Sequence, residues 1–136
     1  MKAGVRSKRA GPVLIVEYNP INLKLLKLLL TVEGYEVHVA TDAEQALELL
    51  KKLRPALILM DIQLPGMDGL ELARKIKSRR SHRQVIIVAI TAYAMKGDEE
   101  KALSAGFDDY VLKPIDTRSL PGLIARYLEG QEAHAK

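Results

Sequence analysis

The chain has no cysteine, so disulfides, thiolate metal sites and thiol nucleophiles are excluded. It has no tryptophan, one phenylalanine and five tyrosines. That leaves few rings to stack on nucleic-acid bases. No apolar run approaches the ~18 residues of a membrane span, and no apolar core follows the charged amino terminus as in a secretion signal. A cytoplasmic protein without a membrane partner is expected. Neither GxGxxG nor GxxxxGKS/T occurs, so no glycine-rich loop is available to cradle phosphates. The first eleven residues contain no acid, only the cations Lys2, Arg6, Lys8 and Arg9. The other 17 basic residues balance 17 acidic ones, so the net charge of +4 is largely a tail effect. We expect residues 1–11 to form a basic, solvated tail.

What is present suits one packed domain. The chain has 136 residues, 48% of them hydrophobic. Five apolar runs recur, at 13–16, 35–40, 56–60, 85–90 and 110–113, each followed by a helix-like segment. Runs one, three and four are apolar almost throughout, as central parallel strands covered on both faces must be. The second alternates around His38 and reads as an edge strand, with His38 solvated. Asn19-Pro20 is a cap followed by a first-turn proline, and Gly34 closes that helix. Asp42 with Gln45, and Asp68 with Glu71, have capping-box spacing. Leu47, Leu50 and Leu53 predict the core face of the second helix, and Gly106 ends the fourth.

Five strand–helix alternations predict an α/β fold, a doubly wound parallel sheet of the flavodoxin-like (βα)5 type with strand order 2-1-3-4-5. In such sheets ligands bind at the carboxyl ends of the strands. Those ends carry Glu17-Tyr18, Asp61, Thr91 and Lys113-Pro114. A carboxylate there can accept a phosphoryl group, and the anionic group needs cations around it, from Mg²⁺ and a lysine. A hydroxyl can hydrogen-bond a phosphoryl oxygen. Each residue has a blander reading: Asp61 a loop cap, Thr91 a strand former, Lys113 a solvated side chain. All three blander readings holding at three strand ends is a stronger coincidence. The three histidines fall on an edge strand, a loop and the tail (His38, His82, His134), so no Ser-His-Asp arrangement stands on the rim.

"VLIVEYNP", "LILMDIQLPGMDGLEL" and "VIIVAITAYAMKGDEEKALSAGFDDYVLKPI" resemble the receiver domain of two-component response regulators. The likeness spans about residues 12–129, leaving 130–136 as a tail. "MDIQLPGMDG" and "TAYAMKGDE" are most similar to single-domain, DivK-like receivers and to receivers fused to hybrid histidine kinases. The resemblance implies a phosphoacceptor at Asp61 and a phosphate-binding Lys113. It implies Mg²⁺ held by Glu17, Asp61 and the backbone carbonyl of Gln63. It also implies a switch pair, Thr91 and Tyr110, and a cis bond before Pro114. A histidine kinase or histidine phosphotransfer protein would donate the phosphoryl group. A downstream protein would bind the face of helix four, strand five and helix five. With only a few residues after Gly130, output through protein contact or onward phosphotransfer is expected, from a monomer or weak homodimer. The domain would be a phosphoacceptor that assists its own transfer rather than an enzyme.

Tyr18 departs from the pattern, which has an acidic metal ligand there. A neutral phenol is a poor ligand for a hard cation, so weakened Mg²⁺ binding is expected. The ring is also large enough to occupy part of the metal pocket. An alternative is therefore a non-phosphorylated pseudo-receiver that acts only by docking. The run "RKIKSRRSHR" (74–83) reads as a solvated helix end whose cations complement the helix dipole, so no DNA partner is expected. Pro121 would break a helix begun at Asp116, and so predicts a fifth helix starting near Leu120 after a separate turn at 116–119. Leu123, Ile124, Tyr127 and Leu128 would form its apolar side.

Overall fold

The computed structural model describes residues 11–92 and 104–135, the side chains of 130–135 excepted. The cations of the basic tail, most of "TAYAMKGDE", the body of the expected fourth helix and the side chain of His134 lie outside the described residues.

Strands β1 (Val13–Val16), β2 (Val37–Ala40), β3 (Leu57–Asp61), β4 (Ile86–Thr91) and β5 (Asp109–Leu112) form one parallel sheet in the order β2-β1-β3-β4-β5. Helices α1 (Pro20–Val32), α2 (Ala43–Leu49) and α3 (Gly69–Ser78) connect the early strands, and a C-terminal helix (Leu120–Ala135) follows β5. The apolar runs at 13–16, 56–60 and 85–90 became the three central strands, because only positions covered on both faces tolerate such runs. Period-two alternation then splits the core. Leu14, Val16, Ile58, Met60, Ile87 and Ala89 face α2 and α3. Val13, Ile15, Leu57, Leu59, Val88 and Ile90 face α1 and the C-terminal helix.

Local chemistry sets the helix ends. The Asn19 side chain accepts from the Ile21 and Asn22 amides, and Pro20 fills the first helical position. At the other end Gly34 takes φ +95°, and the amides of Gly34 and Tyr35 bond Thr31 and Leu30, a Schellman closure. Asp42 caps α2 and Asp68 caps α3, each through the amide three residues on. The buried face of α2 is Ala43 and Ala46, continued by Leu50 at its C-cap. Leu53 lies beyond that cap, where the chain has turned toward β3, so it is not part of a helical stripe. Gly106 follows a helical Ala105 with φ +109°.

The C-terminal helix begins at Leu120 after a turn at 117–119. Asp116 organises that turn: its carboxylate accepts from the Arg118 amide and its carbonyl from Leu120. Leu120, Ile124 and Leu128 are buried, with Leu123 and Tyr127 packed beside them. The helix runs to Ala135, past the point where a tail from residue 130 was expected. One glycine at 130 is a weak stop when Gln131, Glu132 and Ala133 follow, all good helix formers.

Candidate functional site

Four chain segments meet above the carboxyl ends of β1, β3, β4 and β5. Glu17 follows β1, and its amide still bonds Ala40 of β2. Its side chain turns inward and is 1% exposed, with Oε2 accepting from the Asn19 amide at 3.1 Å. Asp61 is the last residue of β3 and is also buried. Its Oδ1 accepts from the Gln63 amide at 2.9 Å, which sets the Gln63 peptide beside the carboxylate. Thr91 ends β4 and is buried; its carbonyl accepts from the Lys113 amide at 2.8 Å. Lys113 sends its ammonium across β4 to Asp61 Oδ2 at 2.7 Å and to Glu17 Oε1 at 3.4 Å. The Lys113–Pro114 bond is cis. Tyr110 lies two residues behind Lys113's neighbour Leu112 on β5, half-buried against the α2/α3 side of the core.

The electrostatics follow from two carboxylates sharing one dry corner. Burial, then the charge of Asp61 and a hydrogen bond to it, push the Glu17 carboxyl up to about 7. Burial also opposes the Lys113 ammonium, but the hydrogen bond and charge of Asp61 outweigh it and hold that pKa above the ordinary lysine value. Glu17 Oε1 is buried without a hydrogen bond. A carboxylate oxygen met only by the Lys113 ammonium at 3.4 Å, beside a second carboxylate, makes a hard-oxygen donor pair that fits a magnesium ion. No group of three acidic, histidine or cysteine residues with metal-site geometry occurs among the described residues.

Tyr18 is 61% exposed. Most of the residue therefore stands in solvent, outside the buried corner that holds Glu17 and Asp61.

Gly69 was missed in the sequence. A Cβ there would lie 2.6 Å from Ile62 Cα and 2.7 Å from the Asp61 carbonyl oxygen. Its amide bonds the Ile62 carbonyl at 2.7 Å. Only a bare α-carbon lets the start of α3 press onto the backbone that carries Asp61. The signal was available: a glycine directly after a capping Asp, where almost any other residue would make a better first turn. Asn19 was read only as a cap, yet its amide also orients Glu17.

The response regulator receiver domain model matches residues 13–125. The chain belongs to the response regulator receiver family. It is 42% identical over 116 residues to the polar-differentiation response regulator DivK of Brucella anthropi, covering 85% of this chain and 94% of that protein. It is 43% identical over 124 residues to the signal transduction histidine-protein kinase BarA of Shigella flexneri, spanning 91% of this chain but only 14% of that kinase. A CheY-like receiver domain protein from Methanospirillum hungatei superposes with TM-score 0.85 at 34% identity, covering 91% and 98% of the two chains. The receiver domain of a sensor histidine kinase from Pseudomonas aeruginosa, solved with magnesium coordinated in its active site cleft, gives TM-score 0.81 at 36% identity and covers 88% and 98%. Receiver domains are signalling domains of two-component systems, and they bind Mg²⁺ in the active site.

Proposed function

We propose that this receiver takes a phosphoryl group from a phosphohistidine on a histidine kinase or histidine phosphotransfer protein, with Asp61 as acceptor. One observation carries the reading: Lys113 Nζ sits 2.7 Å from a buried strand-end carboxylate, with a second buried carboxylate beside it. In the transfer, an Asp61 carboxylate oxygen bonds to phosphorus, the P–N bond to the donor histidine breaks, and the imidazole leaves with the bonding pair. Lys113 then trades part of its contact with Asp61 for a phosphoryl oxygen, and Thr91 offers its hydroxyl to another. Mg²⁺, when bound, would neutralise phosphoryl charge from Glu17, Asp61 and the Gln63 carbonyl.

Phosphorylation would draw Thr91 inward and let Tyr110 bury further, shifting an existing equilibrium of the face built on β5 and the C-terminal helix. A groove of about 350 Å³ lined by Val111, Leu112, Leu120 and Leu123 lies there. This would be the docking surface of a downstream protein, with the chain a monomer or weak homodimer. Tyr18 supports a second reading, a docking module that is never phosphorylated. Intact-mass measurement after acetyl-phosphate treatment with Mg²⁺ separates the two. One added phosphoryl group, absent in Asp61→Asn, is expected, because an amide cannot form the acyl phosphate. No adduct in either the parent or Tyr18→Asp would favour the docking module.

A further inference from the structure

The end of the molecule opposite this rim gathers cations from segments far apart in sequence. Residues 51–54 lead into β3, and residues 79–85 lead into β4. These strands are parallel neighbours, so both loops lie at the same end. Contacts tie them together. The imidazole of His82, 4% exposed, bridges them: Nε2 lies 3.2 Å from the Leu53 carbonyl and Nδ1 3.1 Å from the Ser81 hydroxyl. The Ile86 amide bonds the Ala56 carbonyl. Gly11 and Pro12, entering β1 on the other side of β3, are held there too: the Ala56 amide bonds the Pro12 carbonyl at 2.8 Å. With adjacent strands ~4.8 Å apart, three chain entries fall within about 10 Å.

Lys52, Arg54, Arg80 and Arg83 are exposed on these loops, with Arg74 and Lys75 on the last turns of α3. None of the six has an ion pair among the described residues. Most acids near this end are engaged elsewhere, although Glu48, paired with Lys51, also feels the charge of Lys52. Asp108 holds the Ile87 amide and Lys77, Asp109 holds the Tyr127 hydroxyl, and Glu36 pairs with His38 at the far edge. Glu33 stands at the end of α1, also toward the β2 edge. Lys77 is turned inward to the Val85 carbonyl and takes no part. In the sequence, the run 74–83 stood alone and read as a solvated helix end. The fold adds a second segment, residues 51–54, tied to it through His82.

We infer that this end binds the phosphate backbone of duplex nucleic acid without reading its sequence. Arginine's planar fork matches phosphate, and closely spaced unpaired cations match a ligand carrying one charge per ~1.7 Å. No exposed large apolar side chain lies in these loops to enter a bilayer, and no aromatic is there to stack on single-stranded bases. The test uses the full chain and a fluorescein-labelled 25-base-pair duplex of mixed sequence, titrated from 50 to 200 mM salt. Binding that falls with a log–log slope of roughly −3 to −6 is expected, about −0.9 per phosphate neutralised. Arg54→Glu/Arg80→Glu/Arg83→Glu should weaken binding at least tenfold and flatten the slope by about 3. The milder Arg54→Gln/Arg80→Gln/Arg83→Gln should show the same direction with an unchanged thermal midpoint. Lys24→Ala/Lys27→Ala, exposed cations on α1 outside the patch, should stay within twofold. Equal binding by parent and both triple variants, no binding at 50 mM salt, or preference for phosphatidylglycerol vesicles over duplex would overturn the inference.

Discussion

Tyr18 and Glu17 stand side by side in the chain, one largely exposed and the other buried in the site. Because the phenol is largely exposed and belongs to neither core cluster, Tyr18→Asp should be well tolerated and would add a carboxylate to the rim. We expect Mg²⁺ affinity to rise at least tenfold, about 1.4 kcal/mol, measured by calorimetric titration. Equal affinities would mean that Glu17 and Asp61 already saturate the ion's demand for charge. Glu17 makes a separate prediction. Its carboxyl titrates near 4.5 when unfolded and near 7 when folded. A raised acid pKa means that the folded state favours the proton. Its contribution to stability is fully present below pH 4.5 and is lost as pH rises through about 7. In chelator-containing buffer, Glu17→Gln should therefore gain on the parent between pH 5 and pH 8, by on the order of 3 kcal/mol at most. Urea midpoints across that range measure it, and a pH-independent difference would contradict the assignment. Glu17, Asp61 and Lys113 were legible in the sequence because the fold rule names strand ends as the place to look. The orientation of Tyr18 was not, since side-chain direction at a strand exit depends on what the neighbouring loops leave open.

Among the elements, the C-terminal helix shows how far local rules reach. Proline at 121 forbade a helix from Asp116, and the observed start at Leu120 follows from that single missing amide. Gly122 sits in the first turn, and a Cβ there would meet nothing within 4 Å. Gly122→Ala should therefore stabilise the protein by about 0.5–1 kcal/mol, through helix propensity and a less flexible unfolded chain. A rise in the urea midpoint with unchanged slope would show it; no change would mean that the first turn is frayed in the native state. Gly69 is the opposite case, since its missing Cβ is what lets α3 approach Asp61. In the sequence only the capping Asp68 before Gly69 hints at the difference, because the contact with backbone 7 residues earlier is itself a tertiary fact. The same limit explains Leu53, which has the spacing of a core stripe but lies past the end of its helix.

Across the whole molecule, the strand order was legible because apolar runs, alternation and length all agreed on one architecture. The far end was not. Lys77 and His82 read as parts of a solvated helix end and a loop, yet with Asp108 they hold α3, the start of β4 and the approaches to β3 and β5 together through the Val85 carbonyl, the Ile87 amide and the Leu53 carbonyl. Polar side chains bonded to backbone carry no periodicity, so no pattern announces them.

The strand order also sets a hierarchy of opening. β1, β3 and β4 are paired on both sides and almost wholly buried, whereas β2 and β5 are edges. Amide protons of Ile58–Asp61 and Ile87–Ile90 should exchange with deuterium only through global unfolding, and those of Val37–Ala40 and Asp109–Leu112 through cheaper local openings. Peptide-resolved exchange at several denaturant concentrations would show two classes, and uniform protection would contradict it. Asp61 thus belongs to the part of the sheet that opens last, while Lys113 and Tyr110 belong to an edge that can loosen alone. On the proposed function the acceptor would be clamped and its readout free to breathe: a signal written at a slow-exchanging central strand would be expressed at an edge strand without disturbing the place where it is held.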